Sequence, residues 1–315
     1  WTTSATPSTE PCGSQPVTMR ELHLTSRVSD DGLPGKLLDD SDVDLVISES
    51  ADVYKPDGTL LARFRKKLMG ASETRRAYHS LKGAAYRSDQ TNRGLAGGSR
   101  NDHLERNVTY VRRDGTPSKT NRAATGTTSG IVGFYDREAR RPFCRTTAYT
   151  ANHPQKFAAA IPYLQTIDEH FRALAPDRWA AQRDVCDSTE PDWIIKGTVF
   201  TTITVNKNFQ TAVHRDNGDF PDGFGVMTAF AAGEYEGFYL AFPGFDPVVA
   251  FDMRTRDLLL ADVHEWHGNT TPRGTPPWER ISLVCYYREK MHLCKDRESE
   301  LEWAKRRKRG GTIHE

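Results

Sequence analysis

The chain has 315 residues, 37% hydrophobic and 27% charged, a composition that supports one or two buried cores and excludes a disordered or fibrous protein. Its formal net charge of +1 provides no global attraction to a polyanion, so any nucleic-acid contact must come from local patches. No apolar run approaches the roughly 20 residues of a membrane span, so no membrane partner is expected, and the Ser/Thr/Pro-rich start has no apolar signal core.

Residues 1–42 read as a tail followed by an irregular segment. Val43 to Ile47 then alternates apolar and acidic residues as a half-buried strand does. Val53-Tyr54, the turn Pro56-Asp57-Gly58 and Leu60 to Phe64 predict a hairpin. The span 43–150 is expected to be this hairpin plus basic Gly/Ser/Thr-rich loops elaborating a core. Those loops run from about Gly83 to Thr128 and carry Arg87, Arg93, Arg100, Arg106, Arg112, Arg113, Lys119 and Arg122. Loops of that length inside a compact domain are usually functional.

From Pro154 to Leu174 the spacing predicts a helix whose stripe of Phe157, Ile161, Leu164, Phe171 and Leu174 packs on a sheet. After Trp193 short strands follow at Gly197–Val205, Gly225–Ala231, Gly237–Phe242, Val248–Phe251, Asp257–Ala261 and Arg280–Tyr287. That spacing, with Gly/Pro/Asp turns between, means an antiparallel sandwich or barrel. The span 151–295 is therefore a support helix and a β core. Residues 296–315 are a basic C-terminal helix or tail, and Lys305 to Arg309 is either solvated or a DNA contact. The five cysteines (Cys12, Cys144, Cys186, Cys285, Cys294) are odd in number and lack zinc or redox spacing. They are expected as reduced thiols in an intracellular protein, nuclear or cytoplasmic, with a phage-encoded origin also compatible.

His214-Arg215-Asp216 carries the first chemical signal. A His and an Asp two apart in extended chain project to one side. With a second His opposite, they leave open positions on a metal, the facial triad of non-haem Fe(II) oxygenases. His264 and His267 both follow the strand Asp257–Ala261. His267 is chosen because it closes the segment and precedes the Gly268-Asn269-Thr270-Thr271-Pro272 turn. Arg280, on the next strand, can pair bidentately with the distal carboxylate of 2-oxoglutarate, with Ser282 on the same face as a donor.

In combination, His214-Arg215-Asp216, Glu265-Trp266-His267 running into Thr270-Thr271-Pro272, and Arg280-Ile281-Ser282-Leu283-Val284 with Tyr286 resemble the TET/JBP family of 5-methylpyrimidine dioxygenases. Gly130 to Asp136 and Cys144-Arg145-Thr146-Thr147 are similar to phage and fungal members. The resemblance implies a mostly β fold with flanking helices: a double-stranded β-helix (jelly-roll or cupin-like) core with an N-terminal α/β elaboration. It implies that His214, Asp216 and His267 hold Fe(II), and that Arg280 and Ser282 hold 2-oxoglutarate, with O2 as co-reactant. It also places Asp219, Tyr286 and Arg288 against a flipped base, Tyr286 as the stacking ring. Arg288 stands where animal members have a His. Arg145 is the candidate for a second basic residue.

The expected reaction is oxidation of the 5-methyl group of 5-methylcytosine in DNA to hydroxymethyl, with further oxidation left open. An ionised Asp219 only accepts hydrogen bonds and so favours the N4 amino group of cytosine over O4 of thymine. The alternatives are a thymine hydroxylase acting on DNA, and a 2-oxoglutarate oxygenase with a non-nucleic-acid substrate. A silent DNA-binding barrel and a zinc hydrolase are more distant.

Overall fold

A computed structural model describes residues 20–86, 93–98, 110–111, 117–118, 128–138, 141–275 and 277–308. Strands β1 (Arg20–His23), β2 (Ser26–Arg27) and β3 (Leu45–Ile47) precede the hairpin of β4 (Ala51–Tyr54) and β5 (Leu60–Arg65). The hairpin turns where expected. Asp57 Oδ1 accepts from Thr59 N and Oγ1 at 2.9 and 2.6 Å, and Gly58 adopts φ +81°. Helix α1 (Ala71–Leu81), the short strands β6 (Tyr110–Val111) and β7 (Pro117–Ser118), then β8 (Ser129–Tyr135) and β9 (Arg145–Thr146) follow. Three helices come next: α2 (Ala148–Asn152), α3 (Pro154–Leu174) and α4 (Pro176–Asp187).

The remaining strands are β10 (Thr202–Lys207), β11 (Gly225–Ala232), β12 (Leu240–Phe242), β13 (Phe245–Asp246), β14 (Val249–Phe251), β15 (Leu258–Ala261), β16 (Gly268–Asn269) and β17 (Glu279–Tyr286). Helix α5 (Arg297–Lys308) closes the described chain.

Among the described residues, nine strands form one sheet in the order β1-β4-β5-β15-β11-β17-β10-β8-β9, and four form a second in the order β16-β12-β14-β3. Period-two alternation divides the large sheet's side chains between two cores. Ile203, Val205, Leu258, Leu260, Ile281, Leu283 and Cys285 pack with Leu164, Ile167 and Phe171 of α3. Met227, Ala229, Leu259 and Ala261 instead meet Leu240, Phe242, Val249 and Phe251 of the small sheet. This two-sheet architecture with flanking helices is the mostly β, double-stranded β-helix fold.

Several expectations change. Residues 20–27 are not a tail: β1 pairs in parallel with β4, and β2 pairs with β13. Short strands with few apolar residues carry little periodicity, so they could be placed only by their partners. The Gly197 to Thr201 part of the first expected strand is a turn, with Thr198 N donating to Ile195 O at 3.0 Å and Gly197 at φ +74°. Most of the basic loop span, together with Cys12 and Arg309, lies outside the described residues. The expectation of five reduced thiols is corrected: Cys144 and Cys294, 150 residues apart, form a disulfide, whereas Cys186 and Cys285 are free and buried. That pairing joins β9 to the segment after β17 and leaves no local spacing to read.

Candidate active site

Two segments bring the metal-ligating side chains together. His214 and His267 exchange main-chain hydrogen bonds at 2.9 and 3.0 Å, and Asp216 N donates to Val263 O at 3.0 Å. The candidate ligand atoms of His214, Asp216 and His267 all lie within 4.8 Å of one another. His214 Nε2 is 3.4 Å from Asp216 Oδ1, and His267 Nε2 is 3.8 Å from Asp216 Oδ2. Each ring's other nitrogen faces a main-chain acceptor: His214 Nδ1 lies 2.8 Å from Ala212 O, and His267 Nδ1 2.9 Å from Glu265 O. Those carbonyls keep the proton on Nδ1 and leave the Nε2 lone pairs for a cation. Burial, with His214 alongside, pushes the His267 imidazole down to about 4, so it is a neutral donor near neutral pH. Burial opposes the charge on Asp216, but the adjoining His214, and less so His267 and Arg93, hold its carboxyl below the usual range.

His264 lies elsewhere. Its Nδ1 is 3.2 Å from Asp262 Oδ1, and its Nε2 is 3.4 Å from Asp219 O.

The triad opens into a cavity of about 460 Å³ between the two sheets. Strand β17 lines it with Arg280, Ser282, Val284 and Tyr286, and Arg288 continues the row beyond the strand. Alternation along β17 thus separates polar cavity from apolar core, as expected. Arg280 is 3% exposed, its guanidinium is 4.7 Å from the centre of the Phe238 ring, and its Nε has no hydrogen-bond partner among the described residues. Burial lowers its pKa, the mark of a cation short of a counter-ion. A buried guanidinium with an orphaned N–H beside three convergent ligand atoms fits a chelating keto acid with a distal carboxylate.

The other expected substrate residues divide. Tyr286 and Asp219 both line the cavity, and the Tyr286 hydroxyl is 3.1 Å from Thr204 Oγ1. Burial and the nearby Asp216 push the Asp219 carboxyl well above the usual range, with Asp136 adding and Arg288 opposing. The premise of an ionised Asp219 is therefore opposed by its surroundings. Arg288 is anchored at the cavity edge: its Nε bonds Asp136 Oδ1 at 2.7 Å and its guanidinium lies 4.1 Å from the centre of the Tyr135 ring. Burial lowers the Arg288 pKa, but Tyr286, Tyr135 and Asp136 more than offset this.

Arg145 is corrected. It stacks against Tyr135 at 4.6 Å, bonds Glu138 Oε1 and Asp136 O at 2.8 and 3.1 Å, and does not line the cavity. Asn217 and Arg215 also line the cavity, whereas Asp222 faces Arg178 at 3.9 Å.

Sequence reasoning missed Tyr135 and Thr204, and left Arg93 among the loop cations. Tyr135 was findable, because it alternates against the buried Val132 and Phe134 of β8. Arg93 was not: it reaches Ser129 Oγ from a segment of no clear pattern, and its Nε has no partner.

Residues 130–289 match the Tet_JBP model, described as the oxygenase domain of the 2OGFeDO superfamily. The chain belongs to the TET/JBP family. Thymine dioxygenase JBP1 of Trypanosoma brucei brucei is 39% identical over 166 residues, covering 51% of this chain and 19% of that protein. The bifunctional helicase and thymine dioxygenase JBP2 of Leishmania infantum is 40% identical over 163 residues, covering 51% of this chain and 14% of that protein. The chain thus spans no more than about a fifth of the length of these curated relatives. Among solved structures, NgTET1 in complex with 5mC DNA shares the fold, with a TM-score of 0.56 at 11% identity over 92% of this chain and 91% of that one. As a TET/JBP oxygenase the chain uses Fe(II), 2-oxoglutarate and O2, and the His-Asp-His cluster and Arg280 fit the first two. No helix among the described residues is long and apolar enough to cross a membrane.

Proposed function

We propose that this chain oxidises the 5-methyl group of a pyrimidine in DNA, with thymine as the base it takes first. The observation that carries the base assignment is the 37–40% identity, over half the chain, to proteins named as thymine dioxygenases. The site is consistent with it. Asp219 lines the cavity with its carboxyl pushed above the usual range, and in its protonated form that group can donate to O4 of thymine. 5-Methylcytosine is the second reading, because the same group still offers an oxygen to the N4 amino donor.

In this reading His214, Asp216 and His267 hold Fe(II) through Nε2, a carboxylate oxygen and Nε2. Arg280 and Ser282 bind the far carboxylate of 2-oxoglutarate. Iron held there, with 2-oxoglutarate and O2, would supply the oxidising power for the methyl C–H bond, 2-oxoglutarate being converted to succinate and CO2. The Tyr286 ring forms one wall for the base, and Thr204 fixes that ring by its hydroxyl. Asp136 and Tyr135 hold Arg288 at the mouth. A methyl group inside a stacked duplex cannot reach a cavity between two sheets, so the nucleotide must be flipped out. Basic loop residues, and Lys305 to Lys308 of α5, would position the backbone without reading sequence.

Duplexes containing either thymine or 5-methylcytosine as the only 5-methylpyrimidine decide between the bases. With Fe(II), 2-oxoglutarate and O2, mass spectrometry should find 5-hydroxymethyluracil matched by succinate. A product from 5-methylcytosine alone would establish the second reading. Succinate release unaffected by either DNA would remove nucleic acid from the function.

A further inference from the structure

The family match begins at residue 130, yet two basic residues far upstream close on the segment that carries His267. Arg27 of β2 donates through Nη1 and Nη2 to the two carboxylate oxygens of Glu265, each at 2.7 Å. Lys55, at the end of β4, donates through Nζ to Asp262 Oδ2 at 3.0 Å and to Glu265 Oε1 at 3.3 Å. Lys55, Asp262 and Glu265 are each 8% exposed. Lys55 and the two carboxylates thus sit in a nearly closed space that the half-exposed Arg27 caps, and losing Lys55 would leave buried negative charge short of a partner. Arg27 is held in turn against the Phe245 ring, 4.9 Å from its centre, and β2 pairs with β13, which contains that ring.

The main chain of the same segment faces the metal ligands. The Glu265 carbonyl accepts from His267 Nδ1, and the Val263 carbonyl accepts from Asp216 N. Glu265 therefore has its side chain clamped from the N-terminal strands while its carbonyl sets the tilt of the His267 ring.

We propose that Arg27 and Lys55 are positioning residues for the metal centre, fixing Glu265 and Asp262 so that His267 presents Nε2 toward Asp216. This rests on reading His214, Asp216 and His267 as the metal site. The N-terminal strands then do more than extend the sheets: they complete, from outside the family-matched span, the alignment of the third ligand.

Charge and alignment make opposite demands. Removing a cation near a bound dication should tighten metal binding on Coulombic grounds alone. Loosening the carbonyl that orients a ligating imidazole should weaken it, by about 10- to 100-fold for changes of this kind. The direction of the change is therefore diagnostic. The test is a Co(II) titration of the full chain, followed by visible absorption, with circular dichroism confirming that each variant is folded.

Arg27→Met and Lys55→Met should weaken Co(II) binding by about tenfold or more. Arg27→Lys should recover part of the loss, since it keeps one donor to Glu265. Arg20→Met, which breaks an exposed pair with Glu49 in the bend before β4, should change nothing. Arg27 is half-exposed, so its variants decide the matter even if Lys55→Met fails to fold. Unchanged or tighter Co(II) binding in folded Arg27→Met overturns the proposal and leaves the metal site standing. A wild-type chain that binds no Co(II) removes the metal site itself, and the proposal with it.

Discussion

At the scale of single residues, the cavity separates two kinds of polar group. His214 and His267 have one ring nitrogen satisfied by a carbonyl and one aimed at Asp216, whereas the Arg280 Nε–H has no partner among the described residues. The first arrangement suits a cation and the second an anion. Arg280→Met should therefore raise the 2-oxoglutarate requirement by about a hundredfold or more, since each bond to a charged group contributes about 1.5–3 kcal/mol. Co(II) affinity should stay near wild type. Calorimetric titration of both ligands checks this, and equal loss of both would mean that Arg280 supports the fold instead.

Asp262 gives a pH prediction. Burial raises its carboxyl, but the bonds from His264 and Lys55 bring it down to about 2 from the usual 3.8. A carboxyl depressed on folding stabilises the protein above its unfolded value and loses that contribution as pH falls toward the folded one. Wild type should exceed Asp262→Asn by about 2 kcal/mol more above pH 4 than near pH 2. Urea unfolding across that range would show a pH-independent gap if the ion pairs contributed nothing.

At the scale of elements, β17 couples the fold to the site. One face carries Ile281, Leu283 and Cys285 into the helix-covered core, and the other carries Arg280, Ser282, Val284 and Tyr286 into the cavity. A slip of one residue would exchange the two sets, so burial of the apolar face fixes the register of the polar one. Strand β8 depends on a different device. Gly133 has φ +93°, and a Cβ there would lie 2.5 Å from the Thr201 carbonyl oxygen. Gly133→Ala should cost about 2 kcal/mol or more, combining left-handed strain with that overlap. Because Tyr135 is two residues on, the variant should also lose part of any base-dependent activity. Denaturant unfolding reads the first effect, and a midpoint equal to wild type would contradict it.

At the scale of the whole molecule, distant parts of the chain are tied across the site. The Cys144–Cys294 disulfide spans 150 residues and joins the stretch before α2 to the stretch after β17. Glu300 of α5 reinforces it, accepting from Cys144 N at 2.7 Å and from Arg137 Nη2 at 2.6 Å. Cross-linking so long a loop removes unfolded-state entropy worth about 3–5 kcal/mol. The Cys144→Ala/Cys294→Ala double variant should thus melt several degrees lower, while Co(II) affinity, set by residues that the disulfide does not touch, holds. Calorimetry with and without reductant tests this. No shift in either experiment would show that the bond adds no stability.

The sequence alone determined whatever depends on local periodicity or on unusual combinations of residues. Helix α3 was legible because its apolar residues recur at helical spacing, and the β4–β5 hairpin because Asp57-Gly58 is turn chemistry. The triad and Arg280 were legible because few side-chain sets suit iron and a keto acid together. Only the tertiary structure decided what depends on distant partners: the Cys144–Cys294 pairing, the sheet positions of β1 and β2, the Asp136 clamp on Arg288, and the displacement of Arg145 from the cavity. It also decided the surroundings of Asp219, whose burial beside Asp216 opposes the charge assumed for it. The physical reason is the same throughout: a side chain's partners and solvation are set by chain segments far from it in sequence, which no local pattern encodes.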